Sequence, residues 1–81
     1  MSEYTFTIHA RDMLREREIS EEWVSQTVNR PDEKNIGKDG NMHYFKSLPE
    51  RENQVLHVVV NETVKPNRVI TLFLDRRRRA K

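Results

Sequence analysis

The chain has no cysteine, only two glycines and three prolines, and aromatic residues at 7% of its 81 positions. Without cysteine, neither disulfides nor a zinc–thiolate cluster can reinforce a domain this small, so packing must stabilise it, with a partner's help if that falls short. Long hydrophobic runs are missing too. Nothing approaches the roughly 18 to 20 apolar residues of a membrane span, and residues 1–12 carry no basic-then-apolar run of a secretion signal. The expectation is a cytoplasmic protein with no membrane contact. With 35% hydrophobic and 35% charged residues, the chain makes one soluble domain, and a multidomain enzyme is excluded.

An excess of basic charge is also lacking where it would be expected. The sequence pI is near 9.2, yet five of the fifteen basic side chains sit in residues 76–81 (Arg76, Arg77, Arg78, Arg79 and Lys81). Residues 1–75 then hold ten basic against thirteen acidic groups, a net charge of −3. The body is therefore acidic, and a protein that bound nucleic acid over its whole surface would look different. Residues 76–81 read as a disordered basic tail beyond a domain of residues 1–75. Adjacent guanidinium groups in such a tail displace counterions and grip phosphates without reading sequence.

What is present is a sequence of short, well-signalled elements. Thr7 caps a helix predicted over Ile8–Glu18, whose apolar side holds Ala10, Met13 and Leu14. Ser20 caps a second helix, with Glu21 and Glu22 in its first turn and Trp23, Val24, Thr27 and Val28 as its stripe. Gly37, Asp39, Gly40 and Asn41 form a turn cluster between a weak strand near Ile36 and a better one at Met42–Lys46. A polar loop leads to the strongest strand, Val55–Val60, and Pro66 and Asn67 turn the chain into a last strand, Arg68–Leu74.

Two helices followed by three or four closely connected strands predict an α+β fold, a helical pair packed on one face of an antiparallel sheet. Both faces of the central strands are apolar. Leu56, Val58 and Val60 point one way, and Val55, His57 and Val59 the other. Two short helices cover one face only, so the other is expected to meet a substrate, a protein partner or a second copy of the chain.

The residues able to carry chemistry are few. No histidine pair has the i, i+4 helical spacing of a zinc protease, so no metal site and no cofactor is expected. His9, Met13 and Arg17 lie four apart and share a flank of the first helix. His9 and Arg17 facing a cleft between helix and sheet edge would pair a proton carrier with a cation able to steady a phosphorane-like charge. His57 is the candidate second proton carrier, although a histidine among apolar neighbours is more often a satisfied core residue. Tyr44 and Thr71 add strand hydroxyls, and a tyrosine on an open sheet face is a platform for an unpaired base. Lys46 and Arg76–Arg79 are the candidate substrate-binding cations.

Read in order, His9-Ala10, Arg17-Glu18-Ile19, Asn29-Arg30-Pro31-Asp32, His43-Tyr44-Phe45, Val58-Val59-Val60 and Val69-Ile70-Thr71 resemble the layout of a small family of uncharacterised bacterial domains, over roughly residues 5–74. That family is similar in architecture to the RelE and barnase–EndoU–colicin group of small RNases, many of them toxins held by an antitoxin. The resemblance implies an open antiparallel sheet backed by a helical pair, RNA on the exposed face, and a toxin-like, metal-free endoribonuclease or an inactive relative. His9, Arg17, Tyr44 and Thr71 match the family pattern, whereas His57 does not clearly do so. The acidic body departs from the basic body of ribosome-dependent RelE toxins. The alternative is a noncatalytic interaction module that binds a partner or self-associates into a homo-oligomer through its apolar sheet face.

Overall fold

The computed structural model describes residues 4–79, with side chains described through Asp75. The elements run β1 (Tyr4–Phe6), α1 (Ile8–Glu16), α2 (Glu21–Asn29), β2 (Glu33–Ile36), β3 (Met42–Leu48), a single 3₁₀ turn (Pro49–Arg51), β4 (Gln54–Asn61) and β5 (Asn67–Arg79). The fold is α+β, with five strands in one sheet in the order β1-β5-β4-β3-β2. The expected sheet of three or four antiparallel strands is corrected in two ways. β1 adds a parallel edge, pairing Tyr4 with Asn67 and Phe6 with Val69, and β5 runs to Arg79 instead of ending at Leu74. The backbone of residues 76–79 therefore continues the strand where a disordered tail was expected. Its register shifts there, from Val55 opposite Asp75 to Gln54 opposite Arg79. Their side chains, and residues 80–81, lie outside what is described.

Both helix starts follow from their caps. The Thr7 hydroxyl accepts from the Ala10 N–H at 3.0 Å, and the Ser20 hydroxyl accepts from the Trp23 N–H at 3.1 Å. α1 stops at Glu16 because the chain turns left-handed at Glu18 (φ 53°). The Ile19 N–H then reaches the Leu14 carbonyl and the Glu18 N–H reaches that of Arg15, the paired bonds of a Schellman ending. Arg51 donates to the carbonyls of both Arg17 and Glu18, which satisfies the helix end and fixes where the Arg17 side chain begins.

The helices cover one face of the sheet. Ala10, Ile19 and Val24 pack with Tyr44, Leu48, Leu56, Val58, Val60, Val69 and Leu72. Simple alternation would put Val69 on the same side as Thr71 and Phe73. A bulge prevents this: Val59 faces Thr71 and Val60 faces Val69, leaving Ile70 without a partner on β4. Val69 is consequently buried in the helix-side core, while Thr71 follows the opposite face.

That opposite face is not the open apolar patch expected from the sequence. Phe45, Val55 and Val59 are all buried, although they stand apart from the core that the described helices cover. Three rings in register across β3, β4 and β5, those of Phe45, His57 and Phe73, stand 4.2 and 4.6 Å apart and close over the middle of the sheet. The large hydrophobic residues left exposed among those described are Ile8 and Ile36. No helix among the described residues is long and apolar enough to cross a membrane.

Candidate active site

The bulge in β5 builds the first part of the site. The Ile70 carbonyl, freed from the β4 ladder, accepts from the Thr7 hydroxyl at 2.9 Å, and this ties the start of α1 to the strand. One residue on, the Thr71 hydroxyl lies 3.0 Å from Nε2 of His9. His9 is exposed, and its Nδ1 has no partner among the described residues. When Nε2 donates to Thr71, Nδ1 presents a free lone pair, so one nitrogen orients the ring and the other is left for chemistry.

Behind this rim lies a chain of polar groups across the sheet. His43 Nδ1 and His57 Nε2 are 2.8 Å apart. The far nitrogen of His43, Nε2, is 3.3 Å from Asp39 Oδ1, and the far nitrogen of His57, Nδ1, is 3.8 Å from Asp75 Oδ2. The chain runs from solvent inward: the Asp39 side chain is 48% exposed, His43 19%, His57 12% and Asp75 13%. Asp39 belongs to the tight turn between β2 and β3, where Gly40 adopts φ 82° and the Asp39 carboxylate accepts from the Asn41 N–H at 3.0 Å. That backbone bond, with the His43 ring beside it, holds the Asp39 carboxyl below its ordinary value of 3.8. The carboxylate is therefore ionised at neutral pH and can only accept hydrogen bonds.

A third part lies at the other end of α1. Arg17 lines a cleft of about 490 Å³ with Arg51, Gln54, Phe73 and Leu74. Arg51 is committed to the end of α1, and it also stands 5.9 Å from the centre of the Trp23 ring. The Arg17 guanidinium has no partner among the described residues. Eight residues at 1.5 Å each separate His9 from Arg17 by about 12 Å along the helix, so the single cleft expected to hold both divides into two sites along one edge of β5.

The remaining predicted residues fall elsewhere. Tyr44 is no stacking platform: it is buried against the helices, and its hydroxyl donates to the Glu62 carboxylate. Burial, and then Glu62 beside it, push its hydroxyl well above the ordinary value of 10.0. Lys46 donates to the Arg30 carbonyl at 3.1 Å and lies 4.0 Å from Asp32, which binds it to the end of α2. His57 is central to that chain, but its ring is the middle one of the aromatic row, between Phe45 and Phe73, and its Nδ1 is buried. The backbone of Arg76–Arg79 belongs to β5; their side chains lie outside those described. Asp39, His43 and Asp75 escape sequence reasoning as a group, because only the register of β3 on β4 on β5 brings them together. The one available signal is the Gly-x-Asp-Gly-Asn turn two residues before His43.

Residues 6–74 fit the family described as "Domain of unknown function (DUF4258)", a stretch that includes His9, Arg17, Asp39, His43, His57 and Thr71 and stops one residue before Asp75. No curated protein and no solved structure matches the chain.

Proposed function

The chain belongs to the DUF4258 family, and from the arrangement of its sheet rim we propose that it is an RNA-directed, toxin-like domain that cleaves single-stranded RNA without a metal ion. The observation that carries this reading is His9: an exposed imidazole steadied at Nε2 by Thr71, with Nδ1 open to solvent. In the proposed step Nδ1 takes the proton from a ribose 2′-hydroxyl. The 2′-oxygen forms a bond to the adjacent phosphorus, the bond from phosphorus to the 5′-oxygen breaks, and the departing oxygen takes its proton from solvent. The products are a 2′,3′-cyclic phosphate and a free 5′-hydroxyl. The nucleophile belongs to the substrate, so the protein needs to supply proton transfer and charge, not an activated water.

Arg17, about 12 Å along α1, grips the phosphate backbone further along the strand, with the Phe73 edge of the same cleft available to a base. The helical pair on one face of the sheet, with polar groups on the other, is what supports the proposed likeness to the RelE and barnase–EndoU–colicin group, at the level of architecture alone.

The full-length protein incubated with single-stranded RNA in the presence of a chelator is expected to give fragments ending in 2′,3′-cyclic phosphate. His9→Ala should slow cleavage by about 10²- to 10⁴-fold, the usual contribution of a positioned base. Intact RNA, or a His9→Ala rate equal to that of the unaltered protein, would overturn the reading.

A further inference from the structure

We propose that Asp39, on the exposed turn between β2 and β3, is a positioning residue that fixes, through His43, which ring nitrogen of the shielded His57 carries the proton. The argument is one of donors and acceptors. A carboxylate only accepts, so the 3.3 Å contact with Asp39 requires His43 Nε2 to carry the hydrogen. A neutral His43 then offers a lone pair at Nδ1. The 2.8 Å contact between the rings in turn requires His57 Nε2 to be the donor. His57 Nδ1 is left without a proton in the neutral state, facing Asp75 Oδ2 at 3.8 Å.

The two carboxylates oppose each other in this chain. Asp75 at hydrogen-bond distance would demand the reverse order, with the proton of His57 on Nδ1 and that of His43 on Nδ1 as well. The shorter contact, at the Asp39 end, decides the direction. The chain has three gaps and two neutral rings bring two ring protons. The third gap is filled only when the pair takes up one more, at Nδ1 of His57 and toward Asp75. Among the described residues, the titratable groups in contact with the rings include Asp39 from the turn, the two histidines themselves from β3 and β4, and Asp75 from β5; His9 stands at Thr71.

The turn is built for this contact. A methyl group at Gly37 would collide with the His43 ring and come within 2.8 Å of Asp39 Oδ1. The Gly37 N–H bonds to the Asn41 carbonyl and the Gly40 N–H to that of Gly37. A glycine at 37 thus lets the imidazole and the carboxylate meet over a closed turn.

This ordering goes beyond the proposed RNA chemistry and needs none of it: exchanging one neutral tautomer for the other moves a proton within the ring and changes no net charge. Its test is independent of any activity. In full-length protein labelled with ¹⁵N-histidine, with rings assigned through His9→Gln and His43→Gln, long-range ¹H–¹⁵N spectra above the titration range should show neutral His57 protonated at Nε2. Asp39→Ala should remove the stronger acceptor and move that proton to Nδ1, while Asp39→Glu restores Nε2. A wild-type His57 protonated at Nδ1, or a proton that stays on Nε2 in Asp39→Ala, would overturn the proposal. The wild-type spectrum decides even where a variant fails to fold. Absence of RNA cleavage would leave this result standing, and its failure would leave His9 chemistry untouched.

Discussion

At the scale of single residues, burial separates side chains that act outward from those that hold the molecule together. Tyr44 shows how alternation alone misleads. The sequence places it on the same face as Lys46 and Leu48, but nothing in the alternation says which face the helices cover. The structure puts it inside, with its hydroxyl on Glu62. Two outcomes follow from one substitution. Tyr44→Phe should cost about 0.5 to 1.5 kcal/mol in urea unfolding, the net worth of a hydrogen bond, and leave RNA cleavage unchanged. Its effect should also depend on pH. The folded state holds the Tyr44 proton more tightly than the unfolded chain, whose phenol titrates near 10.0. The stabilising contribution is then fully present below that pH and falls away as pH rises toward the higher folded value. Melting curves taken between neutral and strongly alkaline pH should show an alkaline loss of stability that is smaller in Tyr44→Phe. Equal losses in the two proteins would show that Tyr44 does not keep its proton on folding.

At the scale of elements, the helix starts were legible because a cap is a local signal: Thr7 and Ser20 act where their spacing to the apolar stripe predicts. β1 was not, because three residues cannot show a period and a parallel partner 63 positions away leaves no local mark. The bulge at Ile70 was equally hidden. It inverts the face of Val69 relative to Thr71 and frees the Ile70 carbonyl for Thr7, next to the Thr71 hydroxyl that meets His9. His9 and Thr71 were both singled out from the sequence as candidates, and the structure puts them in contact. The pairing of His43 with His57 was not legible, since cross-strand register is set by the whole sheet. Thr7 joins both kinds of information, since its hydroxyl accepts from Ala10 and donates to the bulge carbonyl. Thr7→Ala and Ser20→Ala should each cost about 1 kcal/mol as lost caps. Thr7→Ala alone should also loosen the seat of His9 and reduce any RNA cleavage. Urea unfolding and cleavage rates on both variants check this, and equal cleavage by the two would show that the tie to Ile70 does not position the histidine.

At the scale of the whole molecule the governing feature is an uneven charge: a body of net −3 over residues 1–75 and five cations in the last six residues. An acidic body repels RNA, so association must be steered by its few cations, and the four consecutive arginines dominate them. Because β5 reaches Arg79, truncation would remove strand as well as charge, and replacement is the cleaner experiment. Changing Arg76–Arg79 together to glutamine keeps the backbone and deletes four phosphate partners. Each single-strand phosphate contact contributes about 0.7 to the slope of log K against log salt, so the slope should become shallower by up to about 3. Affinity should fall most at low salt, while the rate of cleavage at saturating RNA, set at His9, stays within about twofold. Titrations of a labelled oligoribonucleotide at several salt concentrations read the first effect, and single-turnover cleavage reads the second. An unchanged slope would remove the arginines from the RNA-binding surface and leave Arg17 to hold the strand.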